Sequence, residues 1–241
     1  VVPAPAAISF DFWNTLVVEH GGKLPALRRE AVVRTLLEHE VELGDEVLDA
    51  HLAAAQALQD AAWQRTEGFS PARAAAHVAA AIEGLDDNGR ERLANAYLNA
   101  GEAADLQLTP GAATTLEALA EAGVQLGIVC DVGLTGSPHL RAFLDRSGVL
   151  RHFRGWAFSD EVGHFKPSPE IFAHMLAQFE LSDGDPVWHV GDLRRTDVAG
   201  SRAAGLIPIR YRGMDDDRSD APEADLVIDD LAELVPLIQD R

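Results

Sequence analysis

The strongest constraint on this chain is a rhythm. Short apolar runs, AAISF, VQLGIV, GWAFS, PVWHV, LIPIRY and ADLVI, alternate with stretches of helical periodicity. Those stretches include TPGAATTLEALAEAG, SPHLRAFLDRSG, SPEIFAHMLAQF and TDVAGSRAAG. Several open with Ser or Thr beside Pro and several close at Gly, the chemistry that starts and stops helices. Each parallel strand-to-strand crossover lays a helix across the sheet, so this alternation calls for a parallel sheet covered on both faces. The predicted fold is an α/β, doubly wound parallel-sheet core.

One block breaks the rhythm. From about Leu24 to Glu102 the chain is rich in Ala, Leu, Glu and Arg at helical spacing, with no convincing strand. ALRREAVVRTLLEHEV and EVLDAHLAAAQALQDAAW read as amphipathic helices. A third helix starts at Ser70-Pro71, where a capping hydroxyl precedes a proline whose missing N–H costs nothing in the first turn. DNGRERLANAYLNA makes a fourth. The block lies between the first and second strands, so it is expected as an all-helical cap at residues 19–106, inserted in a core of residues 1–18 and 107–241.

Composition narrows the partners. The formal net charge of −19 repels nucleic acid and anionic membranes, and an anionic substrate would need local cations to reverse the field. Cys130 is the only cysteine, which rules out an intramolecular disulfide and a cysteine-rich zinc site and fits a reducing cytoplasm. No apolar stretch approaches the roughly 20 residues that cross a bilayer. The opening VVPAPAAISF has neither a basic leader nor an initiator Met, so a cytoplasmic protein with a trimmed N-terminus is expected.

In an open parallel sheet, ligands bind beyond the carboxyl ends of the strands. Asp11 follows the first apolar run, with Thr15 four residues on. Cys130 and Asp131 follow the second. HFKPSPEIF, containing Lys166, lies beyond the third, and VGDLRRTD, with Asp192 and Asp197, closes the fourth. Each is weak alone; their order along one edge of the sheet is what gives them meaning.

This set resembles the haloacid dehalogenase superfamily, whose pattern is a nucleophilic Asp with Thr four residues on, a strand-end Ser or Thr, a Lys and an acidic pair. The resemblance spans nearly the whole chain, since the helical block matches that family's cap. It implies a Mg²⁺-dependent attack by Asp11 on a small phosphorylated metabolite, giving an aspartyl phosphate. Asp11, Asp192, Asp197 and the Trp13 carbonyl would hold the metal. Lys166 would supply a point charge to the phosphoryl oxygens, and Thr15 and Cys130 would donate hydrogen bonds. Trp13, Asn14, Asp131 and Lys166 would face the substrate, with Asn14 in the left-handed conformation that Asn tolerates.

Two positions depart from the family pattern. Cys130 replaces Ser or Thr, a weaker donor. Trp13 stands where family phosphatases carry the acid–base carboxylate, a group typically worth ~10²–10⁴-fold. Three readings stay open. The first is a phosphohydrolase or phosphotransferase whose leaving group needs little protonation, or one in which Glu19, His20 or His164 supplies the acid. The second is a dehalogenase, because its relatives carry an aromatic residue at this position. The third is a catalytically weak binding protein. The acidic pair and Asp131, which would repel a haloacid carboxylate, favour phosphoryl chemistry. His189, inside an apolar run, reads as a hydrogen-bonded core residue; MDDDRSD reads as a solvated loop.

Overall fold

A computed structural model describes residues 2–238. Its core is a six-stranded sheet built from β1 (Ala7–Phe10), β4 (Gln125–Cys130), β5 (Phe153–Phe158), β6 (Val187–Gly191), β7 (Ile207–Tyr211) and β8 (Leu226–Ile228). All pairings in it are parallel, in the order β5-β4-β1-β6-β7-β8. The strand runs named from the sequence are these six strands.

The chain builds from β1 outward through β4 and β5, then returns to the other side of β1 and continues through β6, β7 and β8. The order reverses at β1, whose Phe10 lies in register with both Ile128 and Val190. The carboxyl ends of β4, β1 and β6 therefore finish side by side, the position at which doubly wound sheets open a crevice.

Strand parity divides the core in two. Ile8, Phe10, Ile128, Cys130, Trp188 and Val190 face one cluster, which is covered by α5 (Ala112–Glu121) and α6 (Ser137–Arg146). Ala7, Val129, Ala157 and Val187 face the other. There they meet Ile171, Phe172 and Met175 of α8 (Pro169–Leu176). Three shorter α-helices of this part are α7 (Ser159–Val162), α9 (Ala199–Ala203) and α10 (Leu234–Leu237).

Between β2 (Val17–Glu19) and β3 (Leu106–Leu108) lie four helices: α1 (Leu24–Glu38), α2 (Asp45–Gln64), α3 (Pro71–Ala81) and α4 (Asp87–Asn99). Ser70 caps α3 by accepting from the Arg73 N–H at 3.3 Å, and Asp86 caps α4 by accepting from the Gly89 N–H at 2.7 Å. The helices share a cluster of their own, including Val32, Leu48, Ala75, Val78 and Leu93, into which Leu134 and Phe165 insert from the strand-end loops. Those two contacts seat the helices on the carboxyl edge of the sheet.

The small antiparallel pair β2–β3, with Val17 opposite Leu108, was not foreseen. Three-residue strands show no periodicity, and this pair forms only when the helical excursion brings its ends together.

Candidate active site

Parity also decides which strand-end side chains reach the crevice. Asp11 continues the Ala7–Ser9 face of β1, and Asp131 continues the Val129 face of β4. Both line one cavity of about 140 Å³ with Trp13, Asn14, Trp63, Lys166, Asp192 and Asp197. Cys130 has the opposite parity and is fully buried in the core cluster, where burial raises its thiol well above the usual range. It does not line the cavity. Thr15 is also fully buried and off the cavity wall, with no partner at its hydroxyl among the described residues. These two, which the family resemblance implies as hydrogen-bond donors at the site, stand off its wall.

A buried hydrogen-bond chain crosses the site. Ser9 Oγ meets His189 Nδ1 at 2.9 Å, and His189 Nε2 meets Asp197 Oδ1 at 2.9 Å. Lys166 Nζ donates to the same Asp197 oxygen at 2.7 Å and also to Asp11 Oδ1. The other Asp197 oxygen accepts from the Leu193 N–H and the Thr196 hydroxyl, each at 3.1 Å. Asp197 is thus saturated. Its position depends on a wide helical turn at Arg194–Val198 and on Gly191, where a Cβ would sit 2.3 Å from the Asp197 carboxyl carbon. Asn14 holds φ at 56°, the left-handed conformation expected of it.

The charges are strongly coupled. Burial pushes Asp11 up to about 7, with Asp197 and Asp131 adding to it and Lys166 opposing. Burial also pushes Asp192 up to about 8, reinforced by Asp11 and Asp197. Burial acts the same way on Asp197, but Lys166 and His189 outweigh it and hold that carboxyl below the usual range. For Lys166, burial is overcome by Asp11, Asp197 and Asp131, which keep the ammonium well above the ordinary lysine value. Burial depresses His189 despite Asp197. A neutral imidazole beside an ionised carboxylate places its proton on Nε2, since the carboxylate can only accept. His189 is the hydrogen-bonded core residue expected from the sequence.

Carboxylate oxygens of Asp11, Asp192 and Asp197 all lie within 4.8 Å of one another. Hard oxygen donors at that spacing suit Mg²⁺. Glu19, His20 and His164 do not line this cavity. The acidic stretch after Gly213 braces arginines: Asp217 accepts from the Arg194 N–H at 2.7 Å, and Asp216 pairs with Arg210 at 2.9 Å.

Local sequence does not single out Trp63, which lines the cavity, or Arg195, which stacks on it. Trp63, at the end of α2, donates its indole N–H to Asp131, and the Arg195 guanidinium lies 3.8 Å from the ring centroid. Arg195 Nη2 is buried without a partner among the described residues. A lone tryptophan closing an alanine-rich helix was the available signal, but its partners lie 68 residues and more away in sequence.

With fold and site in place, the family is clear. The model of haloacid dehalogenase-like hydrolases matches residues 5–205, and the chain belongs to that family of hydrolases. It is 33% identical over 144 residues to the ribulose-1,5-bisphosphate 5-phosphatase of Halopiger xanaduensis, covering 56% of this chain and 58% of that protein. It is 31% identical over 136 residues to the glyceraldehyde 3-phosphate phosphatase of Methanopyrus kandleri, covering 54% and 56% respectively. The alignments thus span little more than half the length of these curated relatives. In fold it is similar to a 2-haloacid dehalogenase from Pseudomonas syringae, with a TM-score of 0.70, 22% identity and 96% of each chain covered. No helix among the described residues is long and apolar enough to cross a membrane.

Proposed function

We propose that the protein is a Mg²⁺-dependent phosphohydrolase or phosphotransferase acting on a small phosphorylated metabolite through an aspartyl phosphate at Asp11. Charge balance carries this reading. The cavity is lined by four carboxylates, Asp11, Asp131, Asp192 and Asp197, against one ammonium, Lys166. No phosphate dianion enters such a field unaided, and a buried carboxylate held near 7 is a poor nucleophile. Asp11 and Asp192, with the Trp13 carbonyl, would hold Mg²⁺, while the saturated Asp197 backs the site by fixing Lys166. The ion would neutralise the charge gathered between nucleophile and phosphoryl group.

Asp11 then attacks phosphorus, the bond to the leaving oxygen breaks, and water releases phosphate from the aspartyl phosphate. Lys166 holds Asp11 in line and offers its charge to the phosphoryl oxygens. Trp13 neither donates nor removes a proton, so leaving groups that depart as stable anions are preferred. Residues 19–106 act as the cap, and Trp63 roofs the cavity from it. A roofed cavity of this size favours small molecules over polymers. The phosphatase names of the two curated relatives support the same reading.

Trp13 in the cavity wall favours a second reading, displacement of halide from carbon by Asp11, which needs no acid. Against it stands Asp131 in the same wall, beside which a haloacid carboxylate would be repelled. Phosphate and halide release, measured with and without Mg²⁺ for wild type and Asp11→Asn, separates the two. Mg²⁺-dependent phosphate release that vanishes in Asp11→Asn is expected. Metal-independent halide release, or equal turnover by wild type and Asp11→Asn, would replace the proposal.

A further inference from the structure

A second cleft, of about 310 Å³, lies among the helices of the cap between α1, α2, α4 and the loop after β4. Pro25, Leu52, Ala53, Tyr97 and Leu134 give it mainly apolar walls. It shares no lining residue with the catalytic cavity. In its wall sits Arg28, only 7% exposed. One guanidinium nitrogen, Nη2, donates to the Thr135 hydroxyl at 3.0 Å, and the group lies 5.8 Å from the Tyr97 ring centroid. Its Nε is buried with no partner among the described residues.

Among the described residues, no carboxylate pairs with Arg28. Arginine stays charged inside proteins, so this is a buried cation left without a counter-charge, an expensive arrangement unless an anion completes it. Burial draws Arg28 below the ordinary arginine range, with Tyr97 opposing. Its neighbour Arg29 is committed elsewhere, to Asp45 at 2.5 Å and Asp49 at 2.8 Å.

We propose that this cleft is a binding site for a small organic monocarboxylate, with Arg28 gripping the carboxylate and the apolar walls holding its hydrocarbon body. A planar carboxylate matches the fork of a guanidinium. A dianion is disfavoured, because the cleft offers one unpaired cation and Asp49 also lines it. The volume lies at the lower end of the range for small-ligand pockets, roughly 300–1,000 Å³. Thr135 and Leu134 follow Asp131 within the same loop, and α2 carries both Ala53 and Trp63, so an occupant would touch two elements that also bound the catalytic cavity.

Hexanoate and 1-hexanol are suitable probes, titrated calorimetrically into the full chain. Hexanoate is expected to bind saturably at one site, with hexanol roughly tenfold weaker or worse for want of the charge. Arg28→Gln removes an unpaired buried charge, so it should fold and lose hexanoate by a similar factor. Ala53→Trp fills the mouth from an exposed helix position and should abolish binding without lowering the melting temperature of the free protein. Asp11→Asn should bind hexanoate as wild type does, which keeps this site independent of the phosphohydrolase reading. Absence of saturable binding, equal affinity for hexanol, indifference to Ala53→Trp, or loss in Asp11→Asn would each overturn the proposal.

Discussion

Trp63 Nε1 donates to Asp131 Oδ2 at 3.0 Å, tying the end of α2 to the loop that follows β4. Arg195, from the loop after β6, lies on the same ring. One indole thus reaches two strand-end loops and contributes to the wall between them. Trp63→Phe keeps a ring for Arg195 and removes the hydrogen bond, whose net worth is about 1 kcal/mol. The expected result is a rise in KM of roughly fivefold with kcat little changed, read by steady-state kinetics on an aryl phosphate. An unchanged KM would show that Trp63 does not hold the roof over bound substrate.

Asp192 and Asp197 sit five residues apart and should respond oppositely to loss of charge. Asp197 anchors Lys166 and His189 and accepts from Leu193 and Thr196. Asp197→Asn breaks a buried pair, a change that costs about 3–5 kcal/mol, so the melting temperature should fall sharply. Asp192 is instead raised by burial and by its neighbours Asp11 and Asp197. Asp192→Asn relieves that repulsion, so the metal-free protein should melt higher while Mg²⁺ stops shifting the melt. Thermal melts of both variants, with and without Mg²⁺, check the pair of signs.

The same coupling sets a pH dependence. Unfolded carboxyls of this kind titrate at 3.8, whereas folded Asp11 and Asp192 retain protons up to about 7 and about 8. Across that interval the metal-free folded state binds more protons than the unfolded chain, so their contribution to stability declines as pH rises. Asp197 lies on the depressed side and contributes a constant amount there. Mg²⁺ competes with those protons. The melting-temperature gain from saturating Mg²⁺ should therefore grow between about pH 5 and pH 8, in differential scanning experiments. A gain independent of pH would mean that the ion does not bind Asp11 and Asp192.

Much of this was legible in the chain itself. Apolar runs with polar residues at their ends placed Asp11, Asp131, Lys166, Asp192 and Asp197 on one edge, and all five line one cavity. Ser70-Pro71 opened the expected helix. What failed was orientation. Cys130 and Asp131 are adjacent letters, but a strand sends them to opposite faces, and only the register of β4 against β1 shows which one lines the cavity. Trp63 failed for another reason. Its contacts depend on how α2 lies across the sheet, which is fixed by packing of Leu134 and Phe165 into the helices and not by local sequence.

Trp13 offers the sharpest test of the chemistry. Its ring meets Phe12 edge-on, with centroids 5.0 Å apart, and the residue lines the same cavity as Asp11. An indole N–H is neither a usable acid nor a base at neutral pH. Departure of the leaving oxygen therefore draws on its own stability, and rates should climb steeply as the leaving-group pKa falls along a series of aryl and alkyl phosphates. Trp13→Asp places a carboxylate in a pocket where burial already raises Asp11 and Asp192, so the new group should hold a proton near neutrality. General acid help is worth ~10²–10⁴-fold. It acts on poor leaving groups and hardly at all on good ones, so the variant should gain on alkyl phosphates and flatten the dependence. A wild-type plot that is already flat would reveal an acid elsewhere, with Asp131 the first residue to test because it lines the same cavity and is raised by burial.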